Sequence, residues 1–231
     1  MSVRPALADA PARQLRLPLE RHDVAGTFVE SGCNAEAAAL LRRWPDGVSP
    51  ILAPILALHG PAGSGKSRLA AAWAERVGAF PLHGAEAALI DPLEMEGRSV
   101  LLDRAEDADD ESLFHLINLT HSGGGALLLV SRRPPAAWAS ALPDLRSRLD
   151  AIRIVGVEAP DDAVMAAILR ARFSERSITP SDEVIDYLVR RLDRSADAAA
   201  SVAARLDSLH RPVTRALARL VLDGEVEQDA G

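Results

Sequence analysis

The chain has 231 residues, 48% of them apolar but only 3% aromatic, so leucine, valine, isoleucine and alanine must fill its core. Acids outnumber lysine plus arginine by 33 to 26, and the net charge of −7 argues against a broad grip on duplex DNA, which normally needs a basic surface. A single cysteine, Cys33, excludes an internal disulfide and a thiolate metal cluster.

Residues 1–22 read as a flexible, Ala/Pro-rich leader with no signal-peptide pattern. The leader carries QLRLPL at 14–19, in which Leu15, Leu17 and Leu19 alternate as in a half-buried strand. Pro18 lacks an N–H and restricts such a segment to an edge or an extended peptide. Either the segment folds back onto its own domain, or a partner buries it.

Globular patterning follows. Residues 34–44 predict a helix with Asn34 as N-cap, and PDGVSP at 45–50 is a loop. ILALH (55–59) is a buried parallel strand, and 67–78 is a helix closed by Gly78. SVLLDRAED (99–107) reads as a second strand ending in acids, and 109–124 as a helix. ALLLVS (126–131) and IRIVGV (152–157) complete four predicted strands. Strands alternating with helices predict a parallel α/β sheet.

Beyond Val157 only helical patterns remain. They cover 159–176, a segment opening with Thr179 as cap and Pro180 at its first position, 197–210, and 214–224. The expected organisation is a tail at 1–22, an α/β nucleotide-binding domain at 23–157, a small all-helical lid at 158–224 and an acidic tail at 225–231. No apolar run approaches the roughly 18 residues of a membrane span, so a cytoplasmic protein without membrane contact is expected.

GPAGSGKS (60–67) fits G-x-x-x-x-G-K-[ST], with an apolar strand before it and a helix after it. Glycines in such a loop let backbone N–H groups converge on phosphate oxygens, and the helix N-terminus adds a favourable dipole. Gly60, Pro61, Ala62, Gly63, Ser64, Gly65, Lys66, Ser67 and Arg68 are therefore the candidate contacts to ADP or ATP. Lys66 reaches the β- and γ-phosphates, and Ser67 and Asp103, the acid ending its strand, are the candidate Mg2+ ligands. Arg104 follows Asp103 where many P-loop ATPases carry a second acid that orients water, so weak intrinsic hydrolysis is expected. No spacing argument gives Glu106 or Asp107 that role.

With these motifs the chain resembles AAA+ proteins of the replication-initiator (DnaA) branch. TFVESGCNAEAAALL (27–41) is similar to the segment leading into that branch's first helix, with Phe28 and Asn34 ahead of it. LLLVSRRPP (127–135) resembles the first-sensor strand and implies that Ser131 lies beside the γ-phosphate. LPDLRSRLD (142–150) resembles the arginine-finger segment and implies that Arg148 acts in trans. An ordinary helix arginine paired with Asp144, or a finger at Arg146, are the competing readings. Residues 192–222 resemble the lid and imply a second sensor at Arg194.

The resemblance runs from about residue 24 to 222 and leaves no room for a DnaA-type helix-turn-helix domain. A DnaA-like module preceded by Q-L-x-L-P-L resembles the Hda family of DnaA regulators. That resemblance implies a hexapeptide docked on the DNA-polymerase sliding clamp, with Gln14 making polar contacts, Leu15, Leu17 and Leu19 supplying apolar surface and Pro18 keeping the chain extended. It further implies DnaA as partner, stimulated hydrolysis of DnaA-bound ATP, and a possible homo-oligomer. The alternatives are a DnaA-related adaptor acting without the clamp and an autonomous P-loop ATPase.

Overall fold

Residues 29–46 and 54–224 are described by a computed structural model. Five parallel strands form one sheet, in the order β2-β3-β4-β1-β5. They are β1 (Ile55–His59), β2 (Phe80–His83), β3 (Val100–Asp103), β4 (Leu127–Ser131) and β5 (Arg153–Gly156). The central strands β1 and β4 are apolar on both faces because helices cover both. On one face α1 (Ala35–Arg43) and α2 (Lys66–Val77) pack Leu41, Leu69 and Trp73 against Leu56, Leu58 and Leu128. On the other, α3 (Asp110–Gly123) and α4 (Pro143–Ala151) pack Leu113, Ile117 and Leu145 against Ala57, Leu102 and Leu129. Alternate residues of one strand thus enter opposite cores, as the two-residue period of a strand requires.

The chain continues into α5 (Asp162–Ser174), α6 (Asp182–Val189), α7 (Ala196–Ser208) and α8 (Arg215–Leu222). These helices enclose their own core of Met165, Leu169, Phe173, Ile185, Leu188 and Leu206. Among the described residues no helix is long and apolar enough to cross a membrane.

Four local expectations need correction. The sheet has a fifth strand, β2, a four-residue edge strand paired in parallel with β3 from Phe80↔Val100 to His83↔Asp103. The second strand stops at Asp103, and Ala105–Asp107 is a 3-10 turn. Asn34 does not cap α1 through its side chain; its Oδ1 accepts from the Ser31 amide at 3.0 Å and its Nδ2 donates to the Val29 carbonyl at 3.1 Å. Those bonds tie down the approach to the helix instead. Ser181, not Thr179, precedes α6, so Pro180 lies outside the helix.

Candidate nucleotide site

The parallel register brings the C-terminal ends of three strands to one edge of the sheet. His59 of β1 lies opposite Ser131 of β4, and β4 lies between β1 and β3, which ends at Asp103. In open parallel sheets this edge is where ligands bind. The loop 60–65 leaves β1 there and runs directly into α2, whose first residue is Lys66.

Two glycines of the loop are fixed by close approach. A Cβ at Gly60 would lie 2.0 Å from the Val157 carbonyl oxygen. A Cβ at Gly63, where φ is +70°, would lie 2.9 Å from the Ala196 amide nitrogen. That amide donates to the Gly63 carbonyl at 3.3 Å, so the N-terminal end of α7 rests on the loop. Gly65, at φ +91°, has open space around it and serves the left-handed turn into α2.

Lys66 is buried, and its Nζ donates to the Pro61 carbonyl at 2.6 Å and to Ser64 Oγ at 3.3 Å. Burial lowers its pKa, Asp103 and Glu106 push it back up, and Arg132 lowers it further. His59 next to the loop is likewise held below its ordinary pKa by burial and by the Lys66 charge. Ser67 and Arg68 are exposed at the start of α2, and Pro61 and Ala62 are exposed in the loop. Asp103 accepts from the Arg104 amide at 2.9 Å through Oδ1. Arg104 adopts the left-handed conformation (φ 50°, ψ 49°), and its Nε pairs with Asp107 Oδ2 at 2.8 Å. Its charge is therefore committed to Asp107.

Glu106, which spacing alone did not single out, reaches into this group. Its Oε1 accepts from the Arg132 amide at 2.9 Å, immediately after Ser131. Its Oε2 is buried and has no hydrogen-bond partner among the described residues. The bond spans 26 positions in the chain, and no local sequence signal could have announced it.

Ser131 is buried at the end of β4 and donates through Oγ to the Arg133 carbonyl at 2.7 Å. Arg194 is exposed on the approach to α7, where its Nη1 pairs with Asp162 Oδ1 at 2.5 Å. Arg148 lies on α4 with its guanidinium 5.0 Å from the centre of the Phe114 ring. It has no carboxylate partner among the described residues, so the Asp144–Arg148 pair does not form. Asp110 at the start of α3 anchors the approach to α4 by accepting from Ser140 Oγ at 3.0 Å and the Ala141 amide at 2.7 Å. The candidate hexapeptide residues Gln14, Leu15, Leu17, Pro18 and Leu19, and Phe28, lie outside the described residues.

Loop and lysine have the chemistry to bind nucleotide phosphates, and the strand-end acid has that of a ligand to a cation bound with them. Among the described residues no group of three or more His, Cys, Asp or Glu side chains could hold a metal ion. A Mg2+ here would therefore share its shell with phosphate oxygens and water, and the Ser67 hydroxyl, Asp103 and the unpartnered Glu106 oxygen fit such a shared ion.

No protein-family model matches the chain. The chromosomal replication initiator protein DnaA of Chloroflexus aggregans is 39% identical over 87 residues, which are 38% of this chain and 18% of the relative. The DnaA of Caulobacter vibrioides is 28% identical over an alignment covering 96% of this chain and 52% of the relative. The chain thus spans about half, or less, of the length of these curated relatives. Among solved structures, domain III of the Thermotoga maritima replication initiation protein DnaA superposes with a TM-score of 0.68 at 17% identity. That match covers 86% of this chain and 94% of the other.

Proposed function

We propose that this chain, a DnaA-related AAA+ protein, is a nucleotide-holding regulator of replication initiation that stimulates hydrolysis of ATP bound to DnaA. The observation that carries the reading is Arg148. It is a half-buried arginine braced by the Phe114 ring, without an acidic partner among the described residues, on a helix anchored through Asp110. An arginine held by a ring face and not by a carboxylate has its fork of N–H donors free for a phosphate. One reserved for a second molecule keeps its donors available. In trans, Arg148 would bring its guanidinium to the γ-phosphate of DnaA-bound ATP and stabilise the charge that grows as water attacks phosphorus and the bond to the ADP oxygen breaks.

The chain's own loop would hold ADP or ATP with Mg2+ near Ser67 and Asp103, chiefly to fix the body of the protein. Lys66 would exchange the Pro61 carbonyl for phosphate oxygens. Ser131 and Arg194 would do the same with their present partners, Arg133 O and Asp162, as first and second sensors. QLRLPL, with Gln14, Leu15, Leu17, Pro18 and Leu19, would tether the protein to the sliding clamp. Pro18 restricts the backbone of that segment, which would lower the ordering cost of binding. These activities imply a cytoplasmic location.

The test is conversion of DnaA-bound labelled ATP to ADP, with this protein and DNA-loaded clamp added separately and together. Acceleration that requires this protein supports the reading, and an unchanged rate with both present overturns it.

A further inference from the structure

We propose that Glu106 is the second carboxylate through which this chain holds hydrated Mg2+ together with its nucleotide. The inference rests on the nucleotide-binding reading above and adds a residue to it.

Three observations converge on this glutamate. Position 104, next to the strand-end acid, is an arginine whose side chain is turned away into an ion pair with Asp107. The left-handed backbone at Arg104 swings the following 3-10 turn so that Glu106, two residues on, faces β4. One carboxylate oxygen is then fixed by the Arg132 amide, while the other is buried and unpartnered. A carboxylate oxygen withdrawn from water without a partner is costly to keep, and the cost is recovered when a cation or a donor arrives. One end of Glu106 is thereby set by the backbone beside Ser131, and the other is left for the metal shell. It would act as a positioning residue, touching a bound ion only through water.

Nucleotide affinity separates the two possible roles of Glu106. Fluorescent mant-ADP is titrated into the full chain with excess Mg2+ and again with EDTA, for wild type, Glu106→Gln and Glu106→Asp. Glutamine keeps the length and the acceptor for the Arg132 amide, whereas aspartate keeps the charge but is one methylene short. The expected result is that Glu106→Gln loses about tenfold of the Mg2+-dependent gain in affinity, the scale seen when outer-shell partners of bound metals are removed. Its affinity in EDTA should match or exceed that of wild type, and Glu106→Asp should retain more of the gain than Glu106→Gln. A Glu106→Gln protein with the full gain overturns the proposal, as does one impaired equally with Mg2+ and with EDTA. Wild type that binds mant-ADP equally in Mg2+ and EDTA overturns the metal role while leaving nucleotide binding intact. Wild type that binds no mant-ADP under either condition overturns the nucleotide reading itself.

Discussion

Lys66 Nζ donates a 2.6 Å hydrogen bond to the carbonyl of Pro61, five residues earlier in its own loop. The lysine thus waits, buried, on a backbone acceptor that phosphate oxygens would replace. Its pKa is lowered mainly by burial, so the folded protein binds this proton less firmly than the unfolded chain does. Wherever the side chain is charged, it therefore works against folding, and the opposition fades only as alkaline pH passes from its folded toward its unfolded pKa. Lys66→Met should accordingly raise the melting temperature of the nucleotide-free protein. The same variant should lose nucleotide binding. A calorimetric scan with and without ADP checks both, and a lowered melting temperature contradicts the burial argument.

The loop glycines should differ in their tolerance. Gly60→Ala drives a Cβ to 2.0 Å from the carbonyl oxygen of Val157, a residue held in place by its amide bond to the His59 carbonyl at 2.8 Å. Overpacking against fixed backbone should cost at least about 2 kcal/mol. Gly65→Ala meets no atom within 4 Å and should cost only its left-handed backbone, about 1 kcal/mol. Urea denaturation of the two variants gives the order directly.

Asp161 supplies a pH-dependent tie between the segment before α1 and α5. The Ser31 hydroxyl and then the Val164 amide hold its carboxyl below the ordinary aspartate value. Because the folded pKa is depressed, the stabilisation is present above the unfolded value of about 3.9 and disappears as pH falls through the folded one. Asp161→Asn should therefore melt lower than wild type at neutral pH. The gap should close on acidification below about pH 4, and a gap of constant size from neutral to acid pH counts against the tie.

The hexapeptide gives a prediction that does not depend on the folded body. Surface plasmon resonance against purified sliding clamp should register binding by wild type and its loss in Leu17→Ala/Leu19→Ala. Equal binding by both proteins removes this segment as the tether.

What the sequence disclosed follows from how local each signal is. The strand, glycine loop and helix around Lys66 are contiguous, and their order alone predicts the cradle. The buried strands β1, β3 and β4 announce themselves as apolar runs. β2 escapes such reading because FPLH is four residues long, contains Pro81 and buries only Leu82 fully. Its strand character comes from pairing with β3 at the sheet edge. Glu106 escapes for a related reason, since its place is set by the Arg132 amide on a strand formed later in the chain. Asn34 was legible as a residue that orders a helix start, but its bonds point backward to Val29 and Ser31. The competition between Asp144 and the Phe114 ring for Arg148 is likewise a matter of packing between α3 and α4, which spacing within α4 cannot decide.

The most direct test of the account compares wild type with Arg148→Ala in single-turnover hydrolysis of ATP pre-bound to DnaA, in the presence of DNA-loaded clamp. The substitution removes one cation–π contact from a partly exposed site, so folding and mant-ADP binding should change little, by about 0.5–1 kcal/mol at most in stability. Stimulation of DnaA-bound ATP hydrolysis should nevertheless fall on the order of 10³-fold, the scale of a lost arginine finger, while Arg146→Ala retains it. Stimulation by Arg148→Ala equal to that of wild type would contradict the account.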